Sequence, residues 1–236
     1  MKKILLLAFV AFMTACSSSD DDNGNDPVTS DVDNSGLSLV PDAAIEFNDS
    51  NFGYYKGVIT GSSGTIELNL YNDGEVWAKM VLDGVTYDFT TTETATLGEN
   101  VSGLTFTSGN NSFDFNVSAT GNNPTITNLN LENHPFAFSE IIKEYSDALV
   151  RAYEGTFSGD SQGTFNMLRI DNMVYGLAQE NGSEDSTWVE GSIGTNLHID
   201  GAIEGGTFNG YVNGAILYGE WETQDENGSW TTTRSL

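Results

Sequence analysis

The chain has 236 residues and carries 8 Lys and Arg against 34 Asp and Glu, a formal net charge of −26. A surface this acidic repels phosphate backbones, so nucleic acid is excluded from the expected partners. Its 26 Gly, 13 Phe and 9 Tyr against only 4 Pro suit many short strands joined by tight turns, an all-β fold rather than a helical one.

Met1-Lys2-Lys3 opens the chain as a short positive stretch, followed by an uncharged apolar run from Ile4 to Met13 and then Thr14, Ala15 and Cys16. That is the layout of a secretory signal peptide over residues 1–15. The apolar run is far shorter than the roughly 20 residues a spanning helix needs. Cys16 is the only cysteine, so the exported chain forms no internal disulfide. It is either a stray thiol near the cleavage site or an acylated cysteine. Met13-Thr14-Ala15-Cys16 resembles a lipobox, with Met13 where Leu is commonest. The resemblance implies a palmitate-type anchor on Cys16, which makes the membrane a partner. Each buried methylene contributes about 0.8 kcal/mol, so two or more acyl tails anchor stably.

Ser17, Ser18, Ser19, Asp20, Asp21 and Asp22 come next, followed by Asn, Gly and Asp. By composition this is a disordered, solvated linker. It also resembles the Ser/Asp-rich export signal that follows the lipidated cysteine of Bacteroidetes surface lipoproteins. Over these first 26 or so residues, the resemblance implies an outer-membrane lipoprotein facing the cell exterior. The acidic tether is expected to cover residues 16–50. Within it, Asp31-Val32-Asp33-Asn34-Ser35-Gly36 followed by Asp42 imitates a calcium loop, but Ser38 replaces the usual aliphatic and Pro41 blocks an exiting helix. No metal site is expected here.

Residues 51–133 read as a first β module. Ile66, Leu68 and Leu70 alternate onto one face, Asn72-Asp73-Gly74 turns, and Val76, Ala78, Met80 and Leu82 line the next strand. Asp83-Gly84 turns again before Val85, Tyr87 and Phe89, and further strands are expected around Leu104, Phe113 and Ile126. Strands recur about every ten residues, as in an antiparallel meander. Residues 134–152 are expected to be a connector. Ile141, Tyr145, Leu149 and Ala152 fit a helical face, but a strand over 136–143 followed by a short helical turn is preferred.

The second module, 153–236, repeats the first. Tyr55-Lys56-Gly57 matches Tyr153-Glu154-Gly155, and Gly64-Thr65-Ile66 matches Gly163-Thr164-Phe165 with one residue inserted. Two tandem meander modules, small barrels or rolls, are therefore expected. Asn213-Gly214 reads as a two-residue hairpin turn that pairs Val212 with Ala215 and Tyr211 with Ile216. Trp221 and Trp230 then share a face with glycines, the way tightly curved barrels are filled. Gly-Glu-Trp, Gly-Ser-Trp and the final Arg234 resemble the closing strands of calycin-like meander barrels. The Tyr-Lys-Gly and Tyr-Glu-Gly strand starts are similar to those of flavobacterial lipoproteins, a likeness that brings no activity with it.

Catalytic constellations are not found in the sequence. His134 and His198 are isolated, the mature part has no second cysteine, and no nucleophile elbow, phosphate loop or zinc-protease motif occurs. No cofactor is implied. Trp77 is expected to point outward, since Val76, Ala78 and Met80 take the core face, and so is a candidate binding platform. Tyr211 and Tyr218 form a second candidate patch. The expected function is non-catalytic binding of glycan or protein outside the cell. A small apolar-ligand carrier and an extracellular hydrolase are the alternatives.

Overall fold

A computed structural model describes residues 36–236. The leader, Cys16, the acidic run from Ser17 to Asp22, and Asp31 and Asp33 of the calcium-like segment lie outside the described residues. The chain is all-β, as its composition and alternation require. Eight strands make the first half: β1 (Gly53–Thr60), β2 (Gly64–Leu70), β3 (Val76–Leu82), β4 (Val85–Phe89), β5 (Val101–Ser108), β6 (Asn111–Val117), β7 (Thr125–Asn130) and β8 (Phe138–Lys143). Eight make the second: β9 (Val150–Gly159), β10 (Gly163–Ile170), β11 (Met173–Glu180), β12 (Thr187–Ile193), β13 (His198–Ile203), β14 (Gly206–Asn213), β15 (Ile216–Thr223) and β16 (Asn227–Arg234).

The second half is a closed antiparallel barrel in which β16 returns to pair with β9. The first half runs the same course with a looser closure. Sheet β4-β3-β2-β1-β8 and sheet β5-β6-β7 are joined by mutual backbone hydrogen bonds between Thr90 and Thr107, at 3.0 and 2.9 Å, and no ladder joins β7 to β8. The repeated signature occupies equivalent register in both halves. Ile59 pairs with Gly64 as Phe157 pairs with Gly163, and Tyr55 pairs with Leu68 as Tyr153 pairs with Met167. Each tyrosine also faces a buried cation on the closing strand, Lys143 in one half and Arg234 in the other. Sequence reasoning missed that second match, because Lys143 and Arg234 align only once the closing strands are known.

The strand preferred over 136–143 is present as β8, but its role and the turn after it differ from expectation. Strand β8 is not a connector: it is hydrogen-bonded along β1 from Thr60–Phe138 to Tyr55–Lys143. After it the chain makes a tight turn bracketed by the Tyr145–Ala148 bridge, not a helical turn, and the second barrel starts at Val150. The residues assigned to the tether are also corrected from Gly36 onward. A 3₁₀ turn at Ile45–Phe47 lies against the first half, Ala44 N–H donates to Asn72 at 2.7 Å, and Asn48 pairs with Ser146 at 3.0 Å. Asp42, the last residue of the calcium-like spacing, is bonded to Lys56 instead.

The halves are not separate bodies. Strands β1 and β2 are buried along their whole length because one face fills the core of the first half and the other meets the second half. Val58, Val150, Ala152 and Leu168 form a buried cluster at that seam, and Asn166 donates to the Ile59 carbonyl at 2.6 Å. A half expressed alone would uncover this apolar strip, so the two modules fold as one unit.

In the second barrel aromatic rings pack the interior. Phe165 and Phe208 pack edge to face at 5.8 Å, and both contact Trp230. The space for Trp230 comes from glycine: Gly219 sits opposite it, and a Cβ on Gly210 would lie 2.7 Å from its ring. The β14–β15 turn differs from the sequence expectation. Its two central residues are Gly214 and Ala215, so Asn213 pairs with Ile216, Val212 with Leu217 and Tyr211 with Tyr218. Only Gly214 takes positive φ, at 60°, which is the type II′ turn with glycine first. An Asn213-Gly214 turn of type I′ would need positive φ at both positions. Because the register moves by two residues, the faces are preserved and Trp221 and Trp230 still point inward, 6% and 3% exposed.

Candidate functional site

Trp77 does leave the core face, but it is only half-buried. It packs edge-on against Tyr54 at 5.9 Å. Its ring is therefore engaged by a neighbouring side chain. Tyr211 and Tyr218 meet the expectation better. They face each other across β14 and β15 with ring centroids 6.2 Å apart, and both are exposed, at 47% and 43%. His198 on β13 extends the row, edge-on to Tyr211 at 4.8 Å, with its Nδ1 3.0 Å from Asp200.

One aromatic platform is more pronounced than the sequence suggested. Trp188 alternates outward on β12 and is 48% exposed, the largest ring so exposed among the described residues. Its indole lies near the Glu140 carboxyl on β8, so the ring sits where the two halves meet. Tyr175 lies beside it on β11 with centroids 6.5 Å apart, directly across from Glu190. Trp188 opens onto a groove of about 590 Å³ whose walls include Glu190, Ser192, Asp200, Ala202 and Glu204. No sequence signal linked Glu140 to Trp188, since their strands are brought together only at the seam.

Burial raises the Glu140 carboxyl to about 7, while the nearby Trp188 indole pulls the other way. The neighbouring Tyr175 hydroxyl is also raised, first by burial and then by Glu190 and Glu140. An acid whose folded pKa exceeds its unfolded one takes up a proton on folding. Stability should therefore fall as pH rises from about 4.5 to about 7. Thermal melts across that window are expected to show this slope, reduced in Glu140→Gln; an unchanged slope in that variant would remove Glu140 as its source.

A second, smaller cavity of about 190 Å³ opens at the end of the second barrel, floored by Phe157, Phe165, Ala178, Ile203 and Trp221. The other notable polar cluster is centred on buried Lys56 and Glu144, with Asp42 at its exposed rim. Lys56 donates to Glu144 at 2.8 Å and to Asp42 at 3.0 Å, and Glu144 also accepts from the backbone of Asp42 and Val150. All of its bonds go to the protein itself, so it reads as a structural tie. Lys143 is similar: its ammonium donates to the carbonyls of Phe47, Ser50 and Phe52, and burial lowers it to about 8. No group of three or more His, Cys, Asp or Glu arranged to hold a metal occurs among the described residues. No family model, curated protein or solved structure matches the chain.

Proposed function

We propose that the protein is a lipid-anchored lipoprotein of the outer membrane that binds glycan or protein at the cell exterior without catalysing a reaction. The observation that carries this reading is the outer wall of the second barrel. Trp188, Tyr211 and Tyr218 face solvent there while the interior is packed with Phe165, Phe208 and Trp230. Flat, stiff rings give large contact area at small entropic cost, so rings held outward suit recognition. The anchor rests on the lipobox-like Cys16 and the acidic run after it.

The test has two arms. Cys16→Ala should lose acyl labelling and leave the membrane fraction, and protease added to intact cells should shave the wild type. Normal labelling of the variant, or resistance on intact cells, would defeat the anchor and the exposure respectively. In the second arm, full-length protein is applied to glycan and protein arrays. Joint replacement of Trp188, Tyr211 and Tyr218 by Ala should abolish the hit, and an unaffected hit would move the site off the outer wall. A small apolar-ligand carrier is the second reading, favoured by the apolar-floored cavity at the barrel end. Saturable uptake of an apolar dye by wild type, lost in Ala178→Trp, would favour it.

A further inference from the structure

We infer that Lys56 and Asp42 join in an intramolecular isopeptide bond, formed by the folded chain itself with Glu144 as the proton-transfer residue. The product is an amide between Lys56 Nζ and Asp42 Cγ, and one water leaves.

The three side chains are set for that reaction. Lys56 Nζ lies 3.0 Å from Asp42 Oδ2 and 2.8 Å from Glu144 Oε2. Glu67 pairs across from Lys56 on β2 but is engaged elsewhere, with the Tyr54 hydroxyl at 2.6 Å and Lys79 at 2.5 Å. Asp42 is pinned through its backbone. Its N–H donates to Glu144 Oε1 at 2.7 Å, and its carbonyl accepts from the Asn72 amide at 2.9 Å. Tyr54, Lys56 and Val58 share one face of β1, the face that meets the seam, where Val58 and Val150 are fully buried. The Tyr54 ring centroid is 5.5 Å from the amine. Groups that a fold keeps in contact react as if highly concentrated, because the entropy of bringing them together was lost on folding.

The Lys56 ammonium gives a proton to Glu144 Oε2, and Glu144 passes it to a carboxyl oxygen of Asp42. The Nζ lone pair then attacks Asp42 Cγ, and the C=O pair moves onto its oxygen. From this tetrahedral species Nζ gives up a second proton, again through Glu144, to the hydroxyl. That group leaves as water while the carbonyl re-forms. The third ammonium hydrogen stays on the amide nitrogen. Glu144 ends as the carboxylate it began as, so no oxidant, cofactor or co-reactant is needed.

Surroundings decide which carboxyl is attacked. Glu144 is fully buried, and its two oxygens accept from Lys56 and from the N–H groups of Asp42 and Val150. Water has no exit there, and losing an oxygen would strand those donors. The Asp42 side chain is 49% exposed, which gives the leaving water a way out. The bond also has a structural use. Cys16 is the only cysteine, so no disulfide within the chain can fasten the segment before β1 to the fold.

The test is digestion of denatured full-length protein with a Glu-specific protease, read by mass spectrometry. Glu46 lies between the two residues, so a cut there separates Asp42 from Lys56 unless a bond joins them. The expected product is a joined pair of fragments, one water lighter than their sum, with the link at Asp42 and Lys56 and no tryptic cut after Lys56. Lys56→Arg, Asp42→Ala and Glu144→Gln should each give separate fragments of full mass. Asp42→Asn should still link, losing ammonia in place of water to reach the same product mass. Circular dichroism checks that each variant is folded. Lys56→Arg, which keeps the cation, and Asp42→Asn keep the test decisive if Glu144→Gln does not fold.

Separate full-mass fragments from folded wild type would overturn the inference. A link from Lys56 to Glu144 would overturn the assignment of roles. Full linkage in Glu144→Gln would remove Glu144 as the relay. Loss of water that persists in Lys56→Arg would place the dehydration elsewhere and overturn Lys56 as the nucleophile. These outcomes do not depend on the array experiments, so the binder reading stands or falls separately.

Discussion

Glu144→Ala is expected to destabilise the protein by about 3–5 kcal/mol, the cost of stranding one member of a buried ion pair. Glu144 is fully buried and Lys56 is 3% exposed. Removing the carboxylate leaves the Lys56 ammonium with Asp42 alone and frees the N–H groups of Asp42 and Val150. Those partners come from the segment before β1, from β1 itself and from the first residue of the second barrel. The loss should therefore loosen the docked 36–50 segment together with the seam. The check is a denaturant melt combined with hydrogen exchange. Early exchange at Val150 and in β1 is expected. A variant of unchanged midpoint would show that the pair is not a tie. The double variant Lys56→Met, Glu144→Leu separates the two costs, since apolar replacement of both partners should recover much of the stability.

Trp230→Ala should cost a similar amount, about 3–5 kcal/mol, through a cavity that its neighbours cannot fill. Phe165 and Phe208 rest on its ring, and its N–H donates to the Asn209 and Glu220 carbonyls, both at 3.2 Å. Gly210 and Gly219 beside it offer no side chain to occupy the space. Trp188→Ala, by contrast, should leave the melt close to wild type while removing ligand binding, because that ring faces solvent. Comparison of the two melts decides the matter. A Trp188 variant as unstable as the Trp230 variant would mean that Trp188 is packing and not a platform.

These contrasts depend on neighbours that lie far apart in the chain, which is where sequence reasoning stops. Alternation along β2, β3 and β14, the turn residues and the repeated Tyr-x-Gly start are local. They were enough for an all-β chain of two similar meander halves. Trp221 and Trp230 were legible as core for the same reason: side-chain direction in a strand has period two and survives a register shift of two residues. The II′ turn at Gly214-Ala215 was not legible, because Asn-Gly favours one turn and Gly-Ala another, and the strand ladder arbitrates between them.

Other features were decided only by the tertiary structure. The strand at β8 was preferred from the sequence, but its place beside β1, as a member of the first sheet rather than a connector, shows only in the pairing. Trp77 and Trp188 both alternate outward, yet Tyr54 packs edge-on against the first while the second is 48% exposed. The buried cluster of Val58, Val150, Ala152 and Leu168 joins residues that would each pass as an ordinary barrel position. The sequence by itself determined the fold class, the repeat and the inward tryptophans, because those follow from backbone periodicity and turn chemistry within a few residues. The tertiary structure alone decided which outward ring is available and that the halves form one body, because exposure and burial are properties of surfaces meeting across the chain.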